Sequence, residues 1–87
     1  MTSIEVTVQQ SGFPLLFAKQ FTETAAAFIE EEIRVIWPTK NIISDAKSIL
    51  GVMALEVITG TTLTITAQGP KEQVAAEKLA ELIRQNQ

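Results

Sequence analysis

The chain has no cysteine, no histidine and no tyrosine among its 87 residues. Without cysteine there is no disulfide framework and no thiol chemistry. Without histidine the usual neutral-pH general base and the commonest metal ligand are both missing, so Ser-His-Asp and Cys-His sites are excluded outright. Basic residues are scarce: seven Lys and Arg stand against ten Asp and Glu, the formal net charge is −3, and no two basic residues are adjacent. Nucleic acid and anionic membranes require clustered Lys and Arg, so neither is an expected partner. No stretch approaches the roughly 20 apolar residues of a membrane span. The opening "MTSIEVTVQQ" has no basic region followed by a long apolar run, so no signal peptide is expected. A cytoplasmic protein without metal or cofactor is the expectation.

Apolar residues are plentiful, at 46% hydrophobic, which places the chain among globular proteins. At this length one domain over 1–87 is expected, with a single modest core held by packing alone. Residues 3–9, "SIEVTVQ", alternate as a half-buried strand with Ile4, Val6 and Val8 on one face. After Ser11-Gly12 the period changes. Phe17, Phe21, Ala25, Phe28 and Ile29 form a helical stripe, with Pro14 at the first helical position. This helix is expected to run into Glu30-Glu31-Glu32, an acidic end that opposes the helix dipole and should fray in solvent. "EIRVIW" (32–37), "PTKN" (38–41) and "IIS" (42–44) read as a hairpin, with Trp37 packed at the sheet edge. "SILGVMAL" (48–55) reads as a short helix capped by Ser48. A turn at Gly60 leads to the strand "TLTITA" (62–67), with Leu63, Ile65 and Ala67 inward and threonines at 61, 62, 64 and 66 toward solvent. A last helix starts at Gly69-Pro70, with the stripe Ala75, Ala76, Leu79, Leu82 and Ile83. The order β-α-β-β-α-β-α predicts an α+β fold, a four-stranded antiparallel sheet with helices on one face.

The segment "DAKSILGVMALEVITGTTLTITAQG" (45–69) resembles the second half of HPr, the small phosphocarrier of the bacterial sugar phosphotransferase system, and especially its catabolite-repression paralogue. The motif is a serine in a K-S-I-(apolar)-G-(apolar)-M context before a short helix, followed by a Gly turn and an alternating strand ending in Gly. The match is ungapped from Lys47 to Gly69 and looser before it, and the chain is a few residues longer between Ala27 and Asp45. The resemblance implies the HPr-like open-faced β-sandwich. In phosphocarrier members an apolar residue after Gly is followed by His-Ala-Arg-Pro, whose histidine accepts phosphate and whose arginine helps hold it. Here Pro14 stands in the histidine's place and Leu16 in the arginine's. A peptide proline has no nucleophilic nitrogen and leucine cannot pair with phosphate, so no phosphoryl transfer is expected there. The family's regulatory serine, phosphorylated by a dedicated serine kinase/phosphorylase to act with a transcriptional regulator, corresponds to Ser48.

Two readings of Ser48 stand at this point, a helix cap and a phosphoacceptor at a helix N-terminus that favours anionic charge. A two-turn helix cannot turn Ile49, Leu50, Val52 and Met53 all inward, and Ile49 and Leu50 are the residues expected outside. Phe13, Leu15 and Leu16 do not fit the core stripe, although Leu15 could pack inward as the helix begins. The resemblance sets this corner beside the serine helix. Phe13, Pro14, Leu16, Lys47, Ile49, Leu50 and Met53 are therefore the expected partner-binding patch, unless local collapse hides it. Two functions follow. One is a non-catalytic regulatory or adaptor protein that binds protein partners. The other is a structural domain that uses the same patch to form a homo-oligomer and takes no phosphate. An enzyme is not expected, because a domain this small lacks His, Cys and Tyr for acid–base or nucleophilic work.

Overall fold

The computed structural model describes residues 1–85. The elements follow the order β1 (Thr2–Thr7), α1 (Leu15–Ala26), β2 (Glu32–Trp37), a 3-10 turn (Pro38–Lys40), β3 (Ile42–Asp45), α2 (Ile49–Met53), β4 (Thr62–Gln68) and α3 (Glu72–Gln85). The four strands form one antiparallel sheet in the order β1-β4-β2-β3. Alternation decides which face is buried. Register places Val6 opposite Leu63, and it aligns Ile4, Ile65 and Val35 across three strands. Ala67 pairs with Ile33 on the same face. These side chains join Phe17, Phe21 and Ala25 of α1 and Ala75, Ala76, Leu79 and Ile83 of α3 in one core. The helices thus cover one face of the sheet and leave the other open.

Several expectations are corrected at element ends. α1 stops at Ala26, well before the acidic run, and Ala27 caps it in a helical conformation. The chain then turns tightly, with N–H groups of Phe28 and Glu31 donating to the carbonyls of Ala25 and Phe28. Ile29, placed on the core stripe by helical spacing, is 86% exposed on this turn. Glu31 is the reverse case: expected in solvent, it is buried, and its Oε2 accepts the backbone N–H of Lys71 at 2.9 Å. Trp37 is buried at the end of β2, which is an inner strand and not an edge. Thr66, expected in solvent, is buried on β4 between Ser3 and Arg34 of the neighbouring strands. α3 begins at Glu72, two residues later than Pro70, and the expected helical tail at Asn86 and Gln87 lies outside the described residues.

A polar latch joins the start of β1 to the start of α3. Glu72 Oε2 accepts from Thr2 Oγ1 at 2.8 Å and lies 3.0 Å from the Met1 amino group. These donors, with the Gly69 N–H, hold the Glu72 carboxyl below its ordinary range. No helix among the described residues is long and apolar enough to cross a membrane.

Candidate functional site

The segment that leads into α1 is shaped by its turn residues. Gly12 adopts φ +74°, a left-handed conformation that side chains rarely take, and its N–H donates to the Val57 carbonyl at 2.8 Å. Ser11 Oγ accepts the Thr59 N–H at 3.3 Å. Both bonds tie the segment to the strand-like stretch before β4. Phe13 then turns inward instead of lying in the surface patch. It is buried, with its ring 5.3 Å from Phe17 and 6.5 Å from Phe21, because the tied loop aims it at the aromatic stripe of α1. Pro14 serves as the N-cap, one position before the expected one, and its carbonyl accepts the Ala18 N–H at 2.9 Å. Leu15 and Leu16 both point into solvent; Leu16 is 82% exposed.

α2 is short and amphipathic. Ser48 is its N-cap, and Ser48 Oγ accepts the Gly51 N–H at 3.1 Å, which is the capping geometry expected of it. Gly51 leaves room for this bond, since a Cβ there would lie 3.3 Å from Ser48 Oγ. Val52 faces the core, Ile49 packs half-buried against it, and Leu50 is 78% exposed. Of the pair expected outside, Leu50 alone is bare, and Met53 joins it.

α1 packs against α2. Between the segment before α1 and the end of α2 lies an open groove of about 500 Å³, in which Pro14 and Met53 share the lining with Leu55, Glu56 and Val57. Lys47 stands apart from this surface. Its ammonium donates to the carbonyls of Phe28 and Glu31 at 2.8 and 2.7 Å, closing the turn after α1. The Lys47 N–H also donates to Asp45 Oδ1 at 2.9 Å, which shapes the loop before Ser48. The structure therefore gathers Pro14 and Met53 in one groove, leaves Leu16 and Leu50 exposed on two packed helices, buries Phe13, and commits Lys47 elsewhere. Sequence reasoning overlooked Glu56. The alternation of buried Leu55 and Val57 with exposed Glu56 and Ile58 carries the signal that places its carboxylate outward.

The family model for the PTS HPr component phosphorylation site matches residues 2–85. The chain belongs to the HPr family. It is 34% identical over 82 residues to the phosphocarrier protein HPr of Neisseria meningitidis, covering 93% of this chain and 86% of that one. It is 54% identical over 41 residues to the HPr-like protein Crh of Bacillus subtilis. That match spans 47% of this chain and about half of Crh, at 48%. The fold matches HPr-C-His from Thermoanaerobacter tengcongensis with a TM-score of 0.83 at 30% identity, covering 97% of this chain and 92% of that one. The Crh structure matches with a TM-score of 0.76 at 35% identity, covering 98% and 95%, and is described as a swapped, intertwined dimer. The HPr family thus places this chain among small phosphocarrier and carbon-regulation proteins, with the open-faced sandwich that the resemblance implies.

Proposed function

We propose that this chain is a non-catalytic, cytoplasmic HPr-type adaptor that carries no phosphate on histidine and binds a protein partner at the α1–α2 corner. One observation carries the reading. The corner where the resemblance implies a phosphorylated histidine has Pro14 as its N-cap, while Leu16 of α1 and Leu50 of α2, on helices that pack together, stand exposed. A site stripped of its nucleophile and given exposed leucines is suited to docking and not to phosphoryl transfer.

Ser48 is the proposed switch. Its hydroxyl is partly exposed at the start of α2, beside exposed Leu50. Phosphate would add about −1.5 to −2 charges next to apolar surface, enough to exchange one class of partner for another. Intact-mass spectrometry after incubation with ATP and the HPr serine kinase tests this. Wild type gains one phosphate and Ser48→Ala gains none. A parallel incubation with enzyme I and phosphoenolpyruvate leaves the mass unchanged. No phosphate on either protein in the kinase reaction reduces Ser48 to a cap.

A second reading has its own support. Exposed leucines on two packed helices can cover each other across a two-fold axis, and the Crh structure is dimeric. In that reading the chain self-associates and takes no phosphate.

A further inference from the structure

We propose that the groove between the start of α1 and the end of α2 receives a segment of the partner protein that is apolar at its centre and basic at its flanks. The inference rests on the adaptor reading and names the chemistry of the partner. Apart from Gln10, Ser11 and Glu56, the groove is lined by glycine and apolar residues. Glu56 is the one ionised residue in the lining, and no Lys or Arg lines it. Glu56 is exposed, and the ion pairs among the described residues, Met1–Glu72, Arg34–Glu32 and Arg84–Glu81, leave it out.

Neither Lys47 nor Lys19 lines the groove. Lys47 has its ammonium on the carbonyls of Phe28 and Glu31. Lys19, the first basic residue along α1, lies one turn beyond Leu15 and Leu16, and Glu23 follows it on the same helix side. The groove therefore sets two exposed apolar residues, Pro14 and Met53, over a buried apolar floor of Phe13, Leu55 and Val57, with Glu56 as its one negative charge, on a chain whose net charge is −3. An apolar floor takes an aliphatic or aromatic anchor. A negative rim attracts Arg or Lys beside that anchor and repels Asp or Glu. A rim charge of this kind acts mainly on encounter and on salt dependence, which supplies a readout separate from the apolar contact.

The test is an NMR titration of the full chain with two short synthetic peptides that share a Trp-Leu centre, one flanked by Arg and the other by Glu. The Arg peptide is expected to shift the backbone amides of Gly12, Met53 and Val57, and the Glu peptide to bind about five- to tenfold more weakly, the size of one favourable charge contact. Glu56→Gln should bring the two peptides to within about twofold and flatten the dependence on NaCl. Equal binding of both peptides to wild type overturns the proposal and leaves the adaptor reading in place. Shifts confined to α3, or none with either peptide, also overturn it, and the adaptor reading then stands or falls on Ser48 phosphorylation. Shifts of the same amides on raising protein concentration alone assign the groove to a second copy and overturn it as well.

Discussion

Gly69 shows how one residue can join distant parts of the chain. Its φ is +149°, and a Cβ there would come within 2.8 Å of Glu31 Oε2 and 2.9 Å of the Glu30 carbonyl. The close approach is what lets Glu31 reach the Lys71 N–H at the start of α3. Gly69→Ala should therefore lower stability by about 1–3 kcal/mol in urea denaturation, through strain and the displaced carboxylate together. A loss below about 0.5 kcal/mol would mean that the turn relaxes freely. Glu31 also marks a limit of reading the sequence. Three consecutive glutamates look like a solvated run. The middle one is buried only because a backbone donor forty residues later faces it, and no local pattern records that donor. Ser48 lay within reach because a cap is a local event: its hydroxyl meets an N–H three residues on.

At the scale of elements, the strands were the most legible because alternation is a property of the strand itself. β2 begins and ends where "EIRVIW" does, β4 runs one residue beyond its alternating segment and β3 one beyond "IIS", whereas β1 spans Thr2–Thr7 and stops two residues short of the expected 3–9. α1 was harder at both ends. Its apolar stripe continues in sequence to Ile29, yet the helix stops at Ala26 and the chain turns so that Lys47 can close the loop. At its start, helical periodicity says nothing about the residue before the N-cap, and Phe13 folds back to stack on Phe17. The aromatic row of Phe13, Phe17 and Phe21 is thus structural, and Leu16 beside it is not. Phe13→Ala should cost about 3–5 kcal/mol in denaturant titration. Leu16→Arg should stay within about 0.5 kcal/mol of wild type. Equal costs for the two would erase the division between core and docking residues at this corner.

For the whole molecule, the oligomeric state decides whether the exposed leucines face a partner or a second copy. Static light scattering across micromolar concentrations separates the two. The adaptor reading expects a monomer throughout, unchanged by Leu50→Glu. A dimer that dissociates in Leu50→Glu favours self-association and displaces the adaptor reading. The one-sided sheet was legible from the sequence, because the buried apolar positions on β1, β2 and β4 share one phase and the helices have matching stripes. The candidate site was legible only in part. Its location came from the resemblance, whereas the burial of Phe13, the tether on Lys47 and the free carboxylate of Glu56 arise from packing between segments distant in sequence.

β1 pairs with β4 alone, Thr7 lying opposite Thr62. During synthesis this strand is made long before its one strand partner. At about 5–20 residues per second, it waits several seconds with Ile4 and Val6 uncovered. The nascent chain can finish its sheet only after β4 leaves the ribosome, so the rate of translation sets how long that sticky edge must be shielded.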